Sequence, residues 1–257
     1  MIKLIILYTV SLLYSILINA QDVKIGDQVW MSKNLDVSTF RNGDIIKEAK
    51  SIEEWTTARS EHLPMWCYYE FNKEYGNTYG KLYNWYAVND SRGLAPRGYH
   101  IPSDSEWSIL IKTLGNEEIA GNKLKSKNGW RSFNKTEKVI CNNCMNWSDS
   151  LKKHDTCRFC LGSFFTLQDK IPIEILSGDG NNISGFNALP GGYLLYNNQN
   201  TSSQYSFKYI GSYGKWWTLT DFITIFVWSY GLSFYDTKIS RVPTLKYLGH
   251  SVRCIKD

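Results

Sequence analysis

The sequence predicts an α+β domain of many short strands, one or two short helices and long loops. Three observations carry this expectation. Trp, Tyr and Phe make up 15% of the chain and recur along its whole length, a composition that suits strands better than long helices. The C-terminal third runs through FITIFVWSY (222–230) and GLSFYDTKI (231–239), which read as strands of a meander broken at Gly231. Against that background, SDSEWSILIKTLG (103–115) carries a full set of helix signals. Ser103 caps, Glu106 follows three residues on, and Trp107, Leu110, Ile111 and Leu114 share one face. Gly115 supplies the left-handed stop.

The remaining elements follow from local chemistry. The chain opens MIKLIILYTVSLLYSILINAQ, a basic tip, an apolar run and small residues before Gln21. This predicts an export signal over residues 1–20. The run is marginal for a membrane span, which needs about 20 apolar residues. VKIGDQVWM (23–31) reads as a hairpin turning at Gly26-Asp27, with Val23, Ile25, Val29 and Met31 alternating around it. SIEEW (51–55) has capping-box spacing. LPMWCYYEF (63–71) is an aromatic-rich strand candidate, and YGKLYNWYAV (79–88) is equally aromatic. NEEIAGNKLKS suggests a second helix, and HSVRCIKD a terminal strand.

A polar stretch over about 131–181 interrupts this pattern and holds four of the six cysteines. It reads as an insertion within one domain spanning 21–257. The formal net charge is +5, one unit of it from Lys3, and the basic residues are scattered. No basic stripe tracks phosphates, so nucleic acid is not an expected partner.

Cys141, Cys144, Cys157 and Cys160 form C-x2-C-x12-C-x2-C. Two such knuckles supply the thiolates of a structural zinc site. An exported chain in an oxidising compartment would instead pair them as two disulfides. Redox exchange would need a thioredoxin-like βαβ pattern, and the sequence has none. Asp104 and Glu106 are explained by capping, and His100 stands without a nucleophile. There is no H-E-x-x-H and no G-x-S-x-G. Cys67 and Cys254 are either a disulfide tying the terminal strand to the sheet or two buried thiols.

The order of IGDQVWMSKNLD, WCYYEFN, YGKLYNWYAV, GLAPRGYHIPSDSEW, SGFNALPGGY, GKWWTLT and HSVRCIKD resembles the Fibrobacter succinogenes major paralogous domain. That family occurs in exported proteins of Bacteroidetes and Fibrobacteres. The resemblance implies a C-type-lectin-like fold, a twisted antiparallel sheet with short helices. GYHIPSDSEW is also similar to a stretch of sulfatase-modifying-factor and formylglycine-generating-enzyme domains. The paired active-site cysteines of those enzymes are not evident here. Many relatives carry Cys where this chain has Ala95, which leaves the partner of Cys254 open. Trp216 and Trp217 resemble the Trp-Trp core motif of lectin-like domains: either both rings are core, since aromatics dominate buried area, or one is core and the other lines a binding surface. The calcium triplets of sugar-binding lectins are absent.

These readings converge on an exported, non-enzymatic module. It would bind carbohydrate or protein through loops around Trp216, Trp217, Tyr193 and Tyr213. An enzyme related to sulfatase-modifying factors and a structural cell-envelope protein are the rivals.

Overall fold

The computed structural model describes residues 22–134, 139–141, 147–148, 164–166, 175–196 and 205–257. The expected leader lies outside them. The chain divides into two units, one running through Trp130 and resuming over Asp179–Asp257, the other Arg131–Gly178.

In the first unit, β1 (Asp22–Ile25) and β2 (Gln28–Met31) form the expected hairpin, with Gly26 at φ +61° in the turn. The two-residue turn pairs Ile25 with Gln28 and Val23 with Trp30. Trp30, not Val29 or Met31, therefore shares the face of Val23 and Ile25, because directly opposed residues point the same way. Trp30 is fully buried in one core, while Met31 packs against another.

β3 (Lys47–Glu48) precedes α1 (Ile52–Glu61). The Ser51 hydroxyl accepts from the Glu54 amide, and the Glu54 carboxylate accepts from the Lys50 amide. β4 (Met65–Cys67) is shorter than expected, because Tyr69–Phe71 turn as a 3-10 segment with Glu70 at φ +51°. α2 (Lys73–Tyr79), β5 (Leu82–Tyr83) and α3 (Trp85–Val88) follow. The Asn84 side chain caps α3 by accepting from the Ala87 amide, and also accepts from Met65 N–H on β4. β6 (Tyr99–His100) leads into α4 (Asp104–Thr113), whose capping box is complete, and then α5 (Glu117–Leu124).

The second unit contains β7 (Phe133–Asn134), β8 (Val139–Cys141), β9 (Trp147–Ser148), β10 (Phe164–Thr166) and β11 (Ile175–Leu176). β8 lies antiparallel between β9 and β10, and β7 pairs with β11.

Back in the first unit, β12 (Gly191–Tyr196), β13 (Tyr205–Ile210), β14 (Tyr213–Ile223), β15 (Phe226–Ser233) and β16 (Ile239–Leu245) build the largest sheet, in the order β13-β12-β14-β15-β16. The meander is real, but its break is not at Gly231. That residue sits inside β15, opposite Lys215 and Ser240, and the turns fall at 224–225 and 234–235. Hydrogen bonding to both neighbours holds the strand straight through a glycine that would otherwise weaken it. β17 (Ile255–Lys256) lies between β2 and β6, so the C-terminal strand closes on the N-terminal hairpin.

β12 and β14 pair in parallel only at Gly192 and Gly214. Beyond that point they separate, and the segment 249–251 fills the gap, bridging Leu194 at Gly249 and Trp216 at Ser251. Consecutive residues of a strand face opposite ways. Trp216 accordingly enters the core with Trp30, Trp107, Phe186 and Tyr230. Trp217 enters the core with Tyr83, Trp85, Val227 and Val252. A third core gathers Trp55, Met65, Cys67, Leu194 and Tyr205.

Candidate functional site

The paired tryptophans are not the binding surface. Both are fully buried. Trp216 Nε1–H donates to Asn34 Oδ1 at 2.8 Å, and Trp217 Nε1–H donates to the Tyr83 carbonyl at 2.7 Å. The reason is the alternation just described: layers cover both sides of β14 at this level, so neither ring reaches solvent. The expectation that one of them lines a ligand surface is corrected.

Two residues further back along β14 the cover thins. Tyr213 and Lys215 share the face of Trp217 by the same alternation, and both are half-buried. Tyr193 on β12 stands beside them. The rings of Tyr193, Tyr209, Tyr213 and Tyr235 form a row, with successive centroids 5.5, 5.1 and 6.0 Å apart. Tyr209 and Tyr235 are the exposed members, at 48% and 39%. Tyr209 holds φ +69°, a left-handed conformation at the end of β13 next to Gly211. Side chains other than Gly, Asn and Asp rarely adopt that conformation. Burial raises the pKa of the Tyr193 and Tyr213 phenols, so both stay protonated donors at neutral pH.

Lys215 Nζ lies 4.5 Å from the centre of the Tyr193 ring. Burial lowers its pKa. Beneath Tyr193 lies His250, fully buried, edge-on to that ring at 5.5 Å and stacked on Trp217 at 4.3 Å. Neither ring nitrogen of His250 has a hydrogen-bond partner among the described residues. Burial and the nearby Lys215 charge hold its pKa well below the usual value, so the ring is neutral.

Of the four expected binding residues, the structure therefore keeps Tyr193 and Tyr213 together at a surface and removes Trp216 and Trp217. Sequence reasoning missed Tyr209, Tyr235, Lys215 and His250. The i, i+2 spacing of Tyr213 and Lys215 was the available signal for one of them.

A second polar cluster surrounds His100. Its Nε2 meets Glu106 at 2.7 Å and its Nδ1 meets Asp257 at 2.8 Å. The cluster borders a cleft of about 430 Å³ that Gln28 and Ile255 also line. Burial works against the charged imidazolium, but the two carboxylates outweigh it and the pKa is raised. Both ring nitrogens are engaged, which makes His100 a tie between α4 and the C-terminus.

Among the cysteines, Cys67 and Cys254 are free thiols, fully buried in different cores. The structure thus carries two separate thiols: consecutive residues of β4 face opposite ways, and it is Trp66, not Cys67, that shares the core of Cys254. Burial raises both thiol pKa values, that of Cys254 to about 12. Cys141 closes β8, while Cys144, Cys157 and Cys160 lie outside the described residues. No helix among the described residues is long and apolar enough to cross a membrane.

An α+β module with several sheets, short helices and an aromatic surface beside its largest sheet is the class so defined. The chain belongs to the Fibrobacter succinogenes major domain family, whose sequence model matches residues 23–256. No curated protein and no solved structure matches it.

Proposed function

We propose that the chain is an exported, non-enzymatic module of C-type-lectin-like fold that binds carbohydrate. The binding face is the row Tyr193, Tyr209, Tyr213 and Tyr235. The observation that carries this reading is the continuity of that row, with two of its rings exposed. An aromatic ring offers a flat apolar face and a phenol a polar edge, which suits a sugar ring with its C–H face and hydroxyl rim.

A glycan array probed with the full chain tests the reading, with Tyr209→Ala and Tyr235→Ala as controls. Binding to a defined set of glycans that both substitutions weaken is the expected result. Folded protein that binds no glycan, or binds equally well after both substitutions, refutes it.

A further inference from the structure

The tyrosine face contains a cation without a counter-charge. Lys215 projects beside Tyr193, and no carboxylate among the described residues pairs with its ammonium. Its one recorded side-chain partner is the Tyr193 ring, at 4.5 Å. Elsewhere in this unit other cations stand over aromatic rings and also hold an acid. Arg92 lies 4.1 Å from the Phe40 ring and pairs with Asp90 and Asp44. Arg241 lies 3.3 Å from the Trp228 ring and pairs with Asp104. Lys246 lies 4.3 Å from the Trp85 ring and pairs with Asp221. Lys215 has no such acid, and unlike the buried Arg253, whose guanidinium is held by Asn34 and two carbonyls, its ammonium has no hydrogen-bond acceptor among the described residues either.

Its setting explains why the protein itself does not neutralise it. Across the ladder, Lys215 faces Gly231, which contributes no side chain, and then Ser240, a neutral one. A Cβ at Gly231 would lie 3.5 Å from Lys215 Cγ, so the bare glycine keeps the space beside the lysine stem clear. On the other side stands Tyr193, and below it His250, whose two ring nitrogens are buried without partners among the described residues. A half-buried ammonium is costly unless an anion completes it. Hydroxyls of the flanking tyrosines can add hydrogen bonds to the same anion.

We infer that Lys215 is the anion-recognising residue of the tyrosine face, and that the preferred ligand is an acidic saccharide carrying a carboxylate or sulfate ester. This rests on the carbohydrate reading above and deepens it: the tyrosines would hold the sugar ring, and Lys215 would select for charge. A single ammonium matches a singly charged oxyanion. Lys215 acts by direct contact with the ligand.

The test uses a panel of carboxylated and sulfated oligosaccharides, each paired with its methyl-esterified or desulfated counterpart, titrated against the full chain and against Lys215→Met. The parent chain is expected to prefer the charged member of a pair by about tenfold or more, with the preference falling as salt rises. Lys215→Met should bind both members equally, at the level of the neutral one, with an unchanged melting temperature. Tyr209→Ala should weaken both members alike, which separates stacking on the sugar ring from selection for charge. Preference in the carboxylate arm, the sulfate arm or both identifies the anion. Equal binding of charged and neutral members by the parent chain overturns the inference and leaves the carbohydrate reading standing. Binding of neither member anywhere in the panel overturns both. A Lys215→Met chain that keeps its charge preference also overturns the inference.

Discussion

Replacing Asn34 by Ala should remove a large share of the stability of the first unit. Asn34 follows β2 and reaches into the seam where three distant parts of the chain meet. Its Oδ1 accepts from Arg253 Nη2 at 2.8 Å, from Arg253 Nε at 3.3 Å and from Trp216 Nε1 at 2.8 Å. Its Nδ2 donates to the Tyr79 carbonyl at 2.9 Å and to Ser251 Oγ at 3.3 Å. Arg253 is fully buried, and burial lowers its pKa to about 9, so it is still charged at neutral pH. Its other acceptors are the carbonyls of Met31 and Phe186. Truncation at Asn34 strips the charged group of a short hydrogen bond, worth about 1.5–3 kcal/mol, and leaves the Trp216 donor unpaired for about 1 kcal/mol more. With the two amide donations also lost, the total is about 3–5 kcal/mol, comparable to breaking a buried ion pair from one side. Urea unfolding followed by tryptophan fluorescence reads this directly. At a slope of about 2–3 kcal/mol per molar urea the midpoint falls by about 1–2.5 M. Asn34→Asp keeps the acceptor and adds a counter-charge, so it should fall less than Ala. A midpoint shift under about 0.3 M for Asn34→Ala at unchanged slope would refute the reasoning, because the buried guanidinium would then not depend on this acceptor.

Three other outcomes are expected. The raised pKa of His100 means that its tie to Glu106 and Asp257 contributes stability fully below about pH 6.5, the ordinary imidazole range, and loses it as pH rises through the raised value. The melting-temperature gap between the parent chain and His100→Gln should therefore be widest near pH 6 and close towards pH 9, and a gap that widens with pH contradicts the tie. Gly121 of α5 packs so closely that an added Cβ would stand 2.5 Å from the Thr237 and Lys238 carbonyl oxygens. Both are backbone atoms, so Gly121→Ala should cost at least about 2 kcal/mol in chemical denaturation, against a small gain had the helix been exposed. Metal analysis with thiol titration decides the fate of Cys141, Cys144, Cys157 and Cys160. About one zinc per chain is expected from their spacing, and a zinc content near zero with those four thiols blocked would establish two disulfides. In the same assay Cys67 and Cys254 should react only after denaturation, since both are buried.

What could be read from the sequence was local. The α4 capping box closes through hydrogen bonds between Ser103 and Glu106, three residues apart. The β1–β2 turn needs only Gly26 to accept a positive φ. Such features depend on neighbours in the chain, so residue order specifies them. The same kind of reading went astray at Met31 and Gly231, because neither a face nor a break in a strand is settled until the partner strand fixes the register. The Trp216-Trp217 pair marks the limit most clearly. Two adjacent large rings announce a core on one side of β14, and the sequence does not say that a second core covers the other side.

The candidate site is tertiary throughout. Tyr193, Tyr209, Tyr213, Lys215, Tyr235 and His250 come from three strands, a turn and the segment that fills the gap between β12 and β14. Solitary tyrosines and one lysine carry no mark in a sequence already dense in both. The sequence by itself determined the α+β character, the ends of α4, the β1–β2 hairpin and the family. Only the tertiary structure decided which aromatic rings are core and which are surface, and that the lysine beside Tyr193 has no acid next to it among the described residues. Burial and charge pairing are sums over contacts between distant segments, such as Asn34 and Arg253, 219 residues apart, and no window along the chain contains them.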